Sequence, residues 1–234
     1  MPIENEYMIQ IAGVHSLEEA MVLADAGVTH IGFPLFLDVH KEDMDAPATC
    51  SVIAQLPKNV VPVLITYLQT AEEIIDLSGY LGVGVVQLHG RVSREELIAL
   101  RSLKPDLSII KSLIIGDRSL DEMCDLVHAH DPFVDFFLTD TYDFSTGATG
   151  ATGKVHDWNI SKKIVEISSL PIILAGGLTP ENVRLGIDFV RPHGVDAHTG
   201  VEDDSGKKDP ALVARFVEQS MVGFRSKKLQ GGCT

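Results

Sequence analysis

The stretch Leu174-Ala175-Gly176-Gly177-Leu178-Thr179-Pro180-Glu181-Asn182-Val183, with Gly194-Val195-Asp196-Ala197-His198-Thr199-Gly200-Val201-Glu202 downstream of it, decides how this chain folds. Each is a short apolar run that stops on small residues, and the first then opens a helix. The run from Ile172 to Ala175 has the length of a buried parallel strand. Gly176 and Gly177 let the backbone turn sharply and come close to a ligand. Thr179 is expected as the helix N-cap and Pro180 as the first helical residue. Strands that end this way before fresh helix N-termini present unpaired N–H groups, which suit a phosphate. Two such loops late in a chain of this length match the (β/α)8 barrel, which holds a phosphate beside its last two strands.

Outward from that stretch, the same unit recurs toward the N-terminus. Met8 to Gly13, His30 to Pro34, Val60 to Ile65, Val85 to Leu88, Ser108 to Ile114 and Phe136 to Thr139 read as strands. Ser16-Leu17-Glu18-Glu19, Thr70-Ala71-Glu72-Glu73, Ser93-Arg94-Glu95-Glu96 and Ser119-Leu120-Asp121-Glu122 are capping boxes that open helices between them. The second helix is expected over about Ala46 to Gln55, another from Asn159, and a last one over Asp209 to Met221. The strands barely alternate, as strands buried on both faces should not. A doubly wound sheet looks the same locally. The count of eight units and the phosphate-type loops on the last two favour an α/β fold with a single (β/α)8 TIM barrel over residues 1–222. Residues 223–234 are expected as a polar, frayed tail.

The totals narrow the field. The chain has 234 residues, 45% hydrophobic and 22% charged, which suits one barrel-sized globular domain. No apolar run approaches the ~20 residues of a membrane span, and no signal peptide is recognisable, so a cytoplasmic location and no membrane partner are expected. Cys50, Cys124 and Cys233 imply no disulfide framework. The formal net charge of −14 argues against nucleic-acid binding. It also means that an anionic substrate must be caught by local donors.

At this point the residues resemble the phosphoribosylanthranilate isomerase family of tryptophan synthesis. The matching stretches include Val86-Gln87-Leu88-His89-Gly90, Leu138-Thr139-Asp140-Thr141, Gly150-Ala151-Thr152-Gly153-Lys154 with Asp157-Trp158, Ala175 to Val183, and Gly200-Val201-Glu202 with Gly206-Lys207-Lys208-Asp209. The resemblance implies a (β/α)8 barrel with its active site over the strand C-termini. It also implies an intramolecular oxidoreductase (an isomerase) that carries out an Amadori rearrangement of a phosphorylated aminoaldose and needs no cofactor. The family's general acid, an aspartate ending the sixth strand, falls on Asp140. Its base, a cysteine in Lys-x-Cys-Gly after the first strand, is absent, because that motif reads Gln10-Ile11-Ala12-Gly13 here. The family's arginine for the anthranilate carboxylate falls on Lys41 by an ungapped count from Gly32, and its Asp-x-Ser-Ser-Gly becomes Asp196-Ala197-His198-Thr199-Gly200.

Several residues carry two readings. Gly176, Gly177, Thr199 and Gly200 are expected at the phosphate, with Asp196, Lys41, His89 and Lys111 as further substrate contacts. His89 also reads as a packed histidine of the barrel mouth. Lys111, inside an apolar strand, either pairs with Asp140 or forms a Schiff base with a carbonyl substrate. With Asp140 as acid, the base role passes to His198, Asp38 or a bound water. Asp38, His40, His89 and His198 form a metal set on one reading, while on the other Asp38 to Asp45 is a solvated loop and no metal binds. The leading function is thus isomerisation of a phosphorylated small molecule by a monomer or homodimer. The alternatives are a phosphosugar epimerase, lyase or aldolase on the same barrel, or a non-catalytic binder of phosphoribosyl ligands.

Overall fold

Eight parallel strands close on themselves in sequence order in a computed structural model that describes residues 7–37, 43–116, 118–141 and 155–231. They are β1 (Met8–Ala12), β2 (His30–Leu35), β3 (Val61–Thr66), β4 (Val85–Leu88), β5 (Ser108–Ile115), β6 (Phe136–Thr141), β7 (Ile172–Leu174) and β8 (Gly194–Ala197). The seam is sealed where Met8 to Ile11 pair with Gly194 to Ala197. The closed barrel, rather than the open doubly wound sheet, is therefore the fold. Closure removes both sheet edges.

The helices are α1 (Leu17–Asp25), α2 (Ala46–Ile53), α3 (Ala71–Leu81), α4 (Arg94–Leu103), α5 (Leu120–His130), α6 (Trp158–Ile167), α7 (Val183–Val190) and α8 (Pro210–Gly231). Their starts follow the capping chemistry of the sequence. Ser16, Thr70, Ser93 and Ser119 each accept a hydrogen bond from the backbone N–H three residues on. Only Ser119 completes the reciprocal box, with Glu122 returning to its N–H. Glu19 and Glu96 turn instead to His15 N–H and Ala71 N–H.

Strand residues of one parity, among them Met8, Ala12, Val63, Ile65, Ile110, Leu138 and Ile173, fill the barrel interior as a cluster of their own. Those of the other parity pack outward on the helices in two larger clusters. Being buried on both faces is why the strands lack alternation. α8 overruns the expected boundary at residue 222, because Phe224 is buried and stacks on Tyr7 with ring centroids 4.5 Å apart. Lys227 Nζ also donates to the carbonyls of Arg191 and Pro192. The expected tail is thus helical through residue 231 and packed on the barrel at Phe224 and Lys227, and residues 232–234 lie outside the described residues. Among the described residues, no helix is long and apolar enough to cross a membrane.

Candidate active site

β7 and β8 end side by side, and the loops that follow them meet backbone to backbone. A Cβ on Gly200 would run into the carbonyl oxygen of Leu178, and one on Gly176 into Thr141 Oγ1. Gly176 and Gly177 both take positive φ, 86° and 64°, which a side chain would resist. The last ladder bond here is Ala175 N–H to Thr139 O, at 2.9 Å. Beyond it, the N–H groups of Gly176, Gly177, Thr199 and Gly200 have no acceptor among the described residues. These four border one recess, together with Asp140, Leu178, Asp196, Ala197 and His198. Backbone donors gathered at a loop in this way form an anion cradle.

The helix that follows starts later than expected. Asn182, not Thr179, is the N-cap of α7, and Pro180 sits in a turn before it. Asn182 locks the loop from both sides. Its Oδ1 accepts from Thr179 N–H and its Nδ2 donates to Gly177 O, each at 2.9 Å. That holds the carbonyl of Gly177 away from the recess and leaves the amide side for a ligand.

Asp140 and Asp196 face this recess from β6 and β8. The register Thr139–Leu174–Val195 sets Asp140, Ala175 and Asp196 one step further along, level with each other. Burial pushes the Asp140 carboxyl up to about 7, partly offset by a 2.7 Å hydrogen bond from Thr141 N–H. Burial, and then the Asp140 charge, push Asp196 up to about 8. Asp196 Oδ1 and Gln10 Oε1 are both buried without a donor, and Gln10 is the register partner of Asp196. The pair therefore holds protons near neutrality, as an acid site requires.

A second group of side chains stands over the end of β1. His198 follows β8, and a Cβ on Gly13 would collide with its Nε2 and approach Asp43 Oδ2. His198 is thus beside Gly13, the residue after Ala12, where the family's cysteine is missing. Its Nε2 is 3.4 Å from Glu202 Oε1. Lys208 Nζ, with its side chain wholly out of solvent, donates to Glu202 Oε1 at 2.5 Å and to His198 O at 3.3 Å. Glu19 Oε1 accepts from Lys208 N–H, and Glu19 Oε2 approaches His15, whose Nε2 is 3.4 Å from Asp43 Oδ1. Burial is the main cause that raises Asp43. Glu202, Lys208, Glu19, His15 and Asp43 were not singled out from the sequence. The Gly206-Lys207-Lys208-Asp209 motif was the available signal, but its role depends on α1 and the β8 loop meeting in space.

The remaining expected residues separate. Lys111 does not reach Asp140. Its parity on β5 points it outward, and its Nζ donates to the carbonyls of Leu88, Gly90 and Ser112 at 3.0–3.1 Å. Burial, then Arg118, lowers its pKa to about 8. His89 accepts or donates at Ser112 Oγ, 3.0 Å away, and packs against Tyr67. His89 and His198 border different recesses. Asp38, His40 and Lys41 lie outside the described residues, and no cluster of three or more His, Cys, Asp or Glu fit for a metal occurs among the described ones. Cys50 sits on α2 with its Sγ toward Tyr80 O, away from the mouth. Polar bonds cross the lumen itself, from Gln10 Nε2 to Gln87 Oε1 at 2.8 Å.

An eight-stranded parallel barrel with paired carboxyls and a ring of open amides over its strand C-termini is a barrel of the enzyme class, with its site on the face where that class places it. Residues 9–219 match the family model described as N-(5'phosphoribosyl)anthranilate (PRA) isomerase. The chain belongs to this family. It is 39% identical over 221 residues to N-(5'-phosphoribosyl)anthranilate isomerase 2 of Methanosarcina mazei, covering 92% of this chain and 95% of the relative. Among solved structures, phosphoribosyl anthranilate isomerase of Thermotoga maritima superposes with a TM-score of 0.78 at 26% identity, over 92% of this chain and 99% of that one. A phosphoribosyl anthranilate isomerase in complex with reduced 1-(o-carboxyphenylamino)-1-deoxyribulose 5-phosphate superposes with a TM-score of 0.76 at 25% identity and the same coverage.

Proposed function

We propose that this chain is a cytoplasmic isomerase that converts N-(5'-phosphoribosyl)anthranilate into the isomeric 1-(o-carboxyphenylamino)-1-deoxyribulose 5-phosphate. The carrying observation is Asp140, a buried carboxyl raised to about 7, opening on the same recess as four backbone amides without acceptors. The amides of Gly176, Gly177, Thr199 and Gly200 take the phosphoryl group and fix the sugar. Asp140 donates its proton to the ring oxygen, the C1–O bond breaks, and the nitrogen lone pair forms the Schiff base. A base then removes the C2 proton, the electron pair moves into the enolamine, and tautomerisation gives the ketose. No external oxidant or reductant is needed, because C1 is reduced as C2 is oxidised.

His198 is the base in this reading. It stands next to Gly13, one residue past Ala12, and Glu202 behind it stabilises an imidazolium. Asp196, level with Asp140, holds the second proton of the pair and keeps Asp140 from ionising early. The epimerase, lyase and aldolase readings lose support from Lys111, whose amine is tied to three carbonyls. The test is turnover of N-(5'-phosphoribosyl)anthranilate by the purified chain, beside Asp140→Asn. Turnover by the chain with a fall of ~10²–10⁴ in Asp140→Asn is expected. A chain without turnover, or an Asp140→Asn variant as fast as the parent, contradicts the reading.

A further inference from the structure

The Glu202 carboxylate faces two partners through one atom. Its Oε1 accepts from the Lys208 ammonium at 2.5 Å and lies 3.4 Å from His198 Nε2. The backbone makes this arrangement locally. Gly206 takes φ 82°, and Asp203 Oδ1 accepts from the N–H groups of Ser205 and Lys207, which closes a tight turn. Glu202 and Lys208 become antiparallel bridge partners across it, with Asp209 N–H donating to Val201 O at 2.9 Å. The turn tucks the Lys208 side chain out of solvent, where it also donates to the carbonyl of His198.

The charge around this point is lopsided. Glu202, Glu19 and Asp43 converge on the imidazoles of His198 and His15. Asp43 Oδ2 also approaches the space over Gly13 that His198 Nε2 fills, and Asp140 and Asp196 border the recess that His198 lines. Asp43 and Lys208 each feel the charges of Glu202 and Glu19. Left to these carboxylates, an imidazole takes a proton and holds it. An imidazolium cannot accept another from carbon. Among the described residues of this group, Lys208 is the cation set against them.

We propose that Lys208 is a positioning residue for the reaction: its buried ammonium occupies the Glu202 oxygen that faces His198, and so keeps the imidazole neutral and able to take the C2 proton. This rests on the isomerase reading, in which His198 is the base. The ammonium offsets part of the Glu202 charge, and its bond to the His198 carbonyl fixes where the ring stands. Lys208 acts only through His198.

The test follows the ring C–H resonances of His198 against pH by NMR, identified by their loss in His198→Asn. It needs no turnover, so a chain that fails to isomerise yet shows the coupling would contradict the isomerase reading and leave the Lys208–His198 coupling standing. Lys208→Met should raise the His198 midpoint by about one pH unit, and Glu202→Gln should lower it by a similar amount. Because Lys208→Met alone orphans the Glu202 charge, it is also read together with Glu202→Gln, which removes both charges at once. That double variant should titrate above Glu202→Gln. In turnover, Lys208→Met should lose about tenfold in kcat on the acid side of the profile, regain it at higher pH and keep its KM. A His198 midpoint that stays in place without Lys208, shifts of the same sign in Lys208→Met and Glu202→Gln, or a kcat loss equal at every pH would overturn the proposal.

Discussion

His198 Nε2 stands 3.4 Å from Glu202 Oε1, and it occupies the space into which any side chain on Gly13 would project. The imidazole therefore leans from β8 over the end of β1 at Gly13, the residue after Ala12. An imidazole backed by a carboxylate is a competent base near neutral pH. Replacing it by asparagine should lower kcat by ~10²–10⁴ with a smaller change in KM. Glu202→Gln should cost less and shift the pH dependence of kcat, because Glu202 acts through His198. Ala12→Cys should restore part of the rate lost in His198→Asn, since the thiol would enter from the adjacent strand. Steady-state kinetics on the three variants decides it, and an unimpaired His198→Asn would remove His198 from the mechanism.

Gly200 controls the recess between the β7 and β8 loops by contact rather than by charge. A methyl group there meets the Leu178 carbonyl, so the β7 and β8 loops must separate. Gly200→Ala is expected to raise KM for phosphorylated substrate by tenfold or more and to cost about 1–3 kcal/mol of stability from overpacking. Calorimetry with inorganic phosphate and chemical unfolding measure the two effects separately.

Asp196 makes the fold less stable as pH rises. Its carboxyl is raised from 3.8 to about 8, so between those values the folded state binds more protons than the unfolded state. Stability from this group is complete below about pH 4 and is lost as pH climbs through 8. Asparagine keeps the shape and cannot ionise. Asp196→Asn and the parent should melt together near pH 4 and diverge in favour of the variant by pH 8. Equal melting temperatures across that range would show that the carboxyl is not raised.

Two histidines, His30 buried and His156 half-buried, act in the opposite direction. His30 and His156 are lowered from 6.5 to about 4, in both cases chiefly by burial. Here the unfolded state binds more protons between those values, so stability present above pH 6.5 is lost as pH falls toward 4. His156 bridges Thr141 Oγ1 and Ser161 Oγ, at 3.1 and 2.5 Å. His156→Gln should flatten the decline in urea midpoint between pH 6.5 and 5 while lowering the midpoint at pH 7. A parallel decline in parent and variant would assign the acid sensitivity elsewhere.

The barrel and the two glycine loops after β7 and β8 were legible because they rest on local signals. Ser16, Thr70, Ser93 and Ser119 mark four helix starts, and glycines mark the two loops that meet. Lys111 was misplaced because a strand apolar on both faces hides its parity, and one residue of parity decides lumen or outer face. Thr179 and Pro180 looked like a helix start, but Asn182 spends its side chain on the preceding loop and shifts that start to Val183. The Glu19–Lys208–Glu202–His198 chain joins residues far apart in sequence, and nothing local announces it. The same holds for the recess over β3, β4 and β5, whose walls come from three separate loops, β5 and α5.

The most direct measurement is a crystal structure of the chain with reduced 1-(o-carboxyphenylamino)-1-deoxyribulose 5-phosphate. Its phosphoryl oxygens should lie within about 3.2 Å of the amides of Gly177 and Gly200, with Asp140 in contact with the sugar chain. A phosphoryl group bound anywhere else, with those amides empty, would contradict the assignment of the site.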